Sequence, residues 1–250
     1  MKAPFACSEY TPLKQEAFAA ILSMWFKLAG KTAVRNPYFH HSCHYIDLTA
    51  GPGVHEGKAG SPKLFLDMAR DHWTGKLLID LVDLDPWCYN RLKILWDQEP
   101  AVRIHNADCA DAVQRILGNP YPWGLAKNQL GLVYMDPSGE VPDFSTLATC
   151  AIQRPRMEIL IHLSATTIKR VKVYQELCLN DYLSMIPKRY WLVREPVDQH
   201  QWTFLMGSNT NNFKSWKGIG LWRIDSERGR KVFERLNTTG YSENGQLSFL

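Results

Sequence analysis

The sequence predicts an α/β domain with a doubly wound, mostly parallel sheet and helices on both faces. Three observations carry that expectation. Short apolar runs of strand length alternate with segments of helical periodicity from residue 44 onward. Several of these runs end in an acid or a glycine turn, the place where such sheets bind their ligands. The 250 residues are 45% hydrophobic and 22% charged, which is the composition of a globular chain with length enough for one large core.

The elements follow in order. Thr11 can cap a first helix, Pro12 suits its first turn, and Gly30 marks its expected end. Leu13, Ala17, Ile21, Trp25 and Leu28 share one face of it, so this helix docks. A strand over His44–Leu48 runs into the turn Ala50-Gly51-Pro52-Gly53, a loop covers residues 54–60, and a helix begins at Ser61-Pro62. Leu77–Asp85 reads as a second strand, and Asp85-Pro86 opens a helix that Pro100 stops. Val102–Ala107 is the third strand, with a short helix over Cys109–Leu117 ended by Gly118. Leu130–Met135 and Met157–Leu163 are the fourth and fifth, with a helix expected over Thr167–Leu179. Tyr190–Arg194 and Trp202–Met206 are joined by so short a connection that they read as an antiparallel pair, with one reversed strand at or near the sheet edge. No repeat or linker divides the chain. A single domain is expected, with an N-terminal helical extension (about residues 1–40) and a basic C-terminal region (about residues 165–250).

Several classes are disfavoured. No uninterrupted apolar run approaches the ~20 residues of a membrane helix, and the first residues lack a signal-peptide core. The six cysteines include no CxxC pair and read as reduced thiols, pointing to the cytoplasm. The cluster His40-His41-Ser42-Cys43-His44 has metal-ligand chemistry, but it leads straight into a strand and lacks a second ligand pair, so no metal is expected. The net charge of +4 is uneven: residues 1–150 carry 14 Lys/Arg against 16 Asp/Glu, residues 151–250 carry 15 against 9. That asymmetry points to a polyanionic partner for the second half, or to a solvated basic face.

The strand ends hold the chemistry. After Asp47, Gly51 and Gly53 let the backbone approach a ligand closely. Three residues after Gly53 stands Glu56, where a dinucleotide fingerprint has a small residue; a carboxylate there opposes a pyrophosphate, so a cofactor without phosphates is favoured. Asp83 is placed to accept the hydroxyls of a ribose, with Asp85 capping the next helix. At Asn106-Ala107-Asp108 a side chain can reach an adenine amino group or cap the helix at Cys109. Asp136-Pro137-Ser138-Gly139 makes a rigid polar corner at the centre of the sheet.

Together these motifs resemble the class I methyltransferases that use S-adenosylmethionine. Within them the chain looks most like the three-Cys-motif partner protein family. The likeness runs through the early helix with Lys14, Tyr45–Gly53, Gly60-Ser61-Pro62, Val82–Pro86 and Met135–Gly139. A more distant similarity is to the ribosomal RNA adenine methyltransferases. The resemblance implies a Rossmann-like, seven-stranded sheet whose last hairpin is reversed. It implies S-adenosylmethionine as cofactor, held at Asp47, Gly51, Gly53, Asp83 and Asp108, and a transfer corner at Asp136, Pro137 and Ser138.

The corner departs from amino methyltransferases, in which Asp/Asn-Pro-Pro precedes an aromatic that stacks on the flipped base. Here Ser138-Gly139 replace the second proline and the aromatic, and Tyr134 and Phe144 are the nearby rings. Basic and aromatic residues interleave at Lys169-Arg170, Lys172, Tyr174, Lys188–Trp191, Trp216-Lys217 and Trp222-Arg223, a pattern that suits phosphates and unpaired bases, although tryptophans at such positions also fill cores. The expectation is methyl transfer to a nucleic acid base, an exocyclic amino group of adenine in DNA or RNA, with Lys14, Lys169, Arg170 and Lys172 on the substrate side and room for a protein partner. The alternative is a nucleic-acid-binding or partner-assembly module that kept the sheet and lost catalysis.

Overall fold

The computed structural model describes residues 11–36, 41–120, 122–123, 126–137, 139–167, 179–196, 201–236, 240–241 and 247–248. The first helix, α1 (Thr11–Arg35), runs through Gly30 instead of ending there. Ala29 and Ala33 on either side of that glycine are buried, and docking outweighs the roughly 1 kcal/mol a glycine costs inside a helix. By length and apolar content α1 could cross a membrane, but Ile21, Leu22, Trp25 and Phe26 are buried against the sheet and α2 (Ser61–His72). Each such side chain contributes roughly 1.5–3 kcal/mol, which makes α1 a core helix here.

The strands are β1 (Ser42–Asp47), a small hairpin of β2 (Val54–His55) and β3 (Lys58–Ala59), β4 (Lys76–Asp83), β5 (Val102–Asn106), β6 (Leu130–Met135), β7 (Met157–Ser164), β8 (Tyr190–Arg194), β9 (Trp202–Ser208), β10 (Leu221–Arg223) and a separate antiparallel pair, β11 (Gly240–Tyr241) and β12 (Leu247–Ser248). Eight of them form one sheet in the order β10-β8-β9-β7-β6-β1-β4-β5. The expected seven strands are therefore eight: Leu221–Arg223, read only as a basic and aromatic patch, pairs antiparallel with β8. Three residues are too few for an alternation to register. Two strands are reversed: β10 at the sheet edge, and β9 inside the sheet between β7 and β8; the expected loop at residues 54–60 contains the β2–β3 hairpin.

Helices α1, α2 and α3 (Pro86–Trp96) cover one face; α4 (Cys109–Gly118) and α5 (Phe144–Gln153) cover the other. The helix expected over Thr167–Leu179 lies almost wholly outside the described residues. A buried polar chain crosses the sheet low down: His44 Nε2 meets Asp80 at 2.6 Å, and Gln129 meets His44 Nδ1 at 2.7 Å. Both His44 nitrogens are thus occupied within the fold. Parallel connections leave β1 for β4 on one side and reach β6 on the other, so the sheet reverses its winding at β1, and the crevice above that point is where ligands bind in such folds.

Candidate functional site

Above that crevice lies a cavity of about 1070 Å³. Its floor is the glycine turn after β1. Leu48 N–H bonds Tyr134 O and Ala50 N–H bonds Val82 O, both at 2.9 Å, so the turn is stapled to the strands on either side. Gly51 (φ 60°) and Gly53 (φ 74°) adopt left-handed backbone that other residues rarely take. A side chain at Gly53 would also run into the Trp96 ring, whereas at Gly51 it would meet only open space, so the turn presents bare backbone to the cavity. Gly60 N–H closes the loop onto Gly53 O at 2.7 Å, and Gln15 of α1 donates to Ala59 O at the rim.

Asp47 holds this loop from below. Its side chain is fully buried and does not line the cavity. It accepts bonds from Tyr45 OH at 2.8 Å, Ser61 Oγ at 2.6 Å and Thr49 N–H at 3.2 Å. Burial pushes its carboxyl up to about 7, although these bonds favour the charged form.

Asp83 and Asp108 reach the cavity wall. Asp83 accepts Gly51 N–H at 2.8 Å on one oxygen and Asp85 N–H at 2.9 Å on the other, joining the glycine turn to the start of α3. Those bonds, with a third from the Cys88 thiol, use three of about four acceptor positions and leave one for a ligand. Asp85 caps α3 through Trp87 and Cys88 N–H, as expected, so β4 stops at Asp83, before the predicted Asp85. Asp108 caps α4 through Ala110 N–H at 2.8 Å while facing the same cavity, so capping and ligand contact are compatible. Asn106 turns its amide onto Asp83 O and Leu84 O, both at 3.0 Å.

At the other end Asp136 and Pro137 line the cavity beside Lys14. Asp136 is heavily engaged. Lys14 Nζ stands 2.8 Å from one carboxylate oxygen, which also accepts Tyr134 OH at 3.1 Å; His162 Nδ1 stands 2.7 Å from the other. Its backbone N–H bonds Thr49 Oγ1 at 2.7 Å, so Thr49 ties the corner to the Asp47 loop. Burial would raise the Asp136 carboxyl, but the charges of His162 and Lys14 overcome it and hold the group well below the usual carboxylate range. Gly139 has φ 75°, a left-handed backbone that an aromatic residue would strain, which accounts for the missing stacking ring.

The structure thus gathers Lys14, Gly51, Gly53, Asp83, Asp108, Asp136 and Pro137 around one cavity, with Asp47 beneath it. Ser138, Lys169, Arg170 and Lys172 lie outside the described residues. His162 was missed. The signal was present: Glu158, His162 and Ser164 share one face of an otherwise apolar strand, with Leu160 between the first two, marking polar positions on a buried face that need partners. Glu140 and Asp143 also line the cavity and were not foreseen.

No protein-family model matches the sequence, and no curated protein matches it. Among solved structures, protein LPL1258 from Legionella pneumophila, of the family model DUF519, aligns with TM-score 0.53 at 13% identity, over 81% of this chain and 89% of that one. Human methyltransferase-like protein 13 in complex with S-adenosylhomocysteine aligns with TM-score 0.46 at 12% identity, over 92% and 96%. The fibrillarin pre-rRNA processing protein of Methanococcus jannaschii gives 0.45 at 13%, over 67% and 66%. At these identities the likeness is one of fold, and it rests on the first of the three.

Proposed function

We propose that this chain is a methyltransferase that uses S-adenosylmethionine, acting on an amino group of a nucleic acid base. The observation that carries the reading is the charge of the cavity wall. Asp83, Asp85, Asp108, Asp136, Glu140 and Asp143 face Lys14 and Lys58, six carboxylates against two lysines. Such a wall repels the pyrophosphate of a dinucleotide and suits a donor with a positive sulfonium and ammonium. The donor supplies a methyl group already activated by its sulfonium. Asp83, with one acceptor position free, and Asp108 would hold its ribose and adenine, and the bare backbone at Gly51 lets it approach the sheet.

The same charge bears on the acceptor. A phosphodiester would be repelled from the cavity, so a nucleic acid would enter it only as a base swung out of its strand. Lys14, His162 and Tyr134 use three of the roughly four acceptor positions of Asp136. One position remains to orient an amine such as the exocyclic group of adenine. Held ionised by its contacts with Lys14 and His162, Asp136 is an aligning group; the rate gain would come from setting acceptor, carbon and sulfur in line. A second reading, donor binding without transfer, is favoured by the same engagement of Asp136 and by the left-handed Gly139.

Calorimetry with S-adenosylmethionine and S-adenosylhomocysteine tests the donor half. Asp83→Ala should weaken binding by about 1.5–3 kcal/mol, the value of hydrogen bonds to a charged group. Tight binding of NAD with none of the sulfonium donor would overturn the reading. Radiolabelled donor incubated with separate pools of DNA, structured RNA and protein then identifies the acceptor. Donor binding with no transfer to any pool would establish the second reading.

A further inference from the structure

A second cavity, of about 730 Å³, lies at the β10 edge of the sheet, lined in part by Lys217, Trp222, Ser226, Arg228 and Lys231. Two cations converge on one indole there. The Arg228 guanidinium stands 4.4 Å from the Trp222 ring centroid, and the Lys217 ammonium 5.7 Å. Arg228 is paired with Glu195 at 3.0 Å, whereas Lys217 meets no carboxylate among the described residues. The Trp222 Nε1, a nitrogen that can only donate, is buried without a hydrogen-bond partner among the described residues. Arg194 Nε and Nη1 are in the same state, but Arg194 pairs with Leu221, faces away from Trp222 and does not line this cavity.

A cavity with an orphan indole N–H, and an ammonium that meets no carboxylate among the described residues, suits a ligand that is anionic and rich in acceptors. A phosphate has both properties, since its oxygens accept several bonds while its charge meets the cations. The Trp222 ring is covered by Arg228, so it offers its N–H and not a stacking face. We propose that this cavity binds a phosphate group, with the phosphodiester of a single-stranded nucleic acid as its source. β10 lies four strands from β6, roughly 19 Å at the usual strand spacing, so a strand gripped here stays clear of the carboxylate-lined cavity beside Asp136. The assignment does not rest on methyl transfer.

The test uses the full chain and fluorescein-labelled ten-nucleotide single strands of DNA and RNA, titrated by anisotropy at several salt concentrations. Trp222→Phe keeps the ring and removes the N–H; Lys217→Ala removes the unpaired charge. Trp222→Phe should bind about tenfold more weakly, and Lys217→Ala should flatten the log–log salt slope by about 0.7, the value of one single-strand phosphate contact. Thermal melts of both variants should match the parent. Calorimetry with S-adenosylhomocysteine on the same samples reads the donor site separately, so failure there leaves this test intact. Inorganic phosphate that binds the parent but not Trp222→Phe, with oligonucleotide affinity unmoved, would overturn the nucleic acid source and keep the phosphate chemistry. Parent affinity and slope in both variants, with no phosphate binding, would overturn the proposal.

Discussion

Asp47 and Asp136 stand at the ends of adjacent strands and are tied to the same threonine, yet burial leaves them in opposite states. Asp47 has three hydrogen bonds and, among the described residues, no cation beside it, and its carboxyl is pushed up to about 7. Asp136 has Lys14 and His162, and its carboxyl sits well below the ordinary range. Neutral donors do not repay the loss of water around a buried carboxylate, whereas opposite charges do. The same difference separates their uses: Asp47 props the donor loop from beneath, and Asp136 presents a fixed negative charge at the corner.

The largest effect should come from breaking the charged member. Asp136→Ala strands Lys14 and His162 and should lower stability by about 3 kcal/mol, the low end for removing one partner of a buried pair because Lys14 is one-third exposed. Urea unfolding measures this. Methyl transfer, once an acceptor is found, should be abolished while donor affinity stays within a few-fold, because Asp83 and Asp108 are untouched. A variant that lost donor binding would show that the corner belongs to the donor side.

Asp47 gives the opposite sign. Its folded pKa lies above the unfolded value of about 3.9, so the folded state binds the extra proton between them. Its contribution is full below about pH 4 and is lost as pH rises through about 7. Asp47→Asn keeps the shape and cannot ionise. It should remove this loss and gain roughly 2 kcal/mol at pH 8, less than the full titration energy because the amide must reorient one bond. Urea midpoints at pH 5 and pH 8 check it: the variant's advantage should grow with pH. An advantage equal at both would mean that Asp47 is ionised throughout.

Much of this was legible because strand ends are written in short-range chemistry. Gly53, Asp85 and Asp108 act within a few residues of where they stand, through turns and caps, so their local roles could be read there, whereas Asp83 also holds Gly51 across 32 residues. The unread parts are long-range. The Lys14–Asp136 contact spans 122 residues, and nothing local to either residue announces an ion pair. Here the family resemblance, and not the spacing, brought Lys14 forward. His162 was hidden because its strand was read only as a short, interrupted apolar run, and the residues interrupting it were given no role. Gly30 misled because a glycine's local cost was weighed without the packing of Ala29 and Ala33 that outweighs it. β10 became visible only through its partner β8.

The smallest expected effect separates Asp136's two side-chain neighbours, Lys14 and His162. Lys14 is one-third exposed, and its ammonium remains partly in water, so its pairing is worth far less than a sealed one. Lys14→Met keeps the apolar stem against α1's neighbours and removes the charge. It should cost about 1 kcal/mol at pH 7, within the range of partly exposed pairs. The sign of its pH dependence follows from Asp136, whose folded pKa is depressed. That depression stabilises the fold above the unfolded pKa of about 3.9 and is lost as pH falls through the folded value. Without Lys14 the folded pKa moves back toward its ordinary value, so the variant has less to lose on acidification. The gap between parent and variant should therefore shrink below about pH 4, as urea unfolding at pH 7 and pH 3 would record. A gap that stayed constant would mean that Lys14 acts through packing of its stem. His162 alone would then hold Asp136 ionised, and the contrast with Asp47 would rest on a single neighbour.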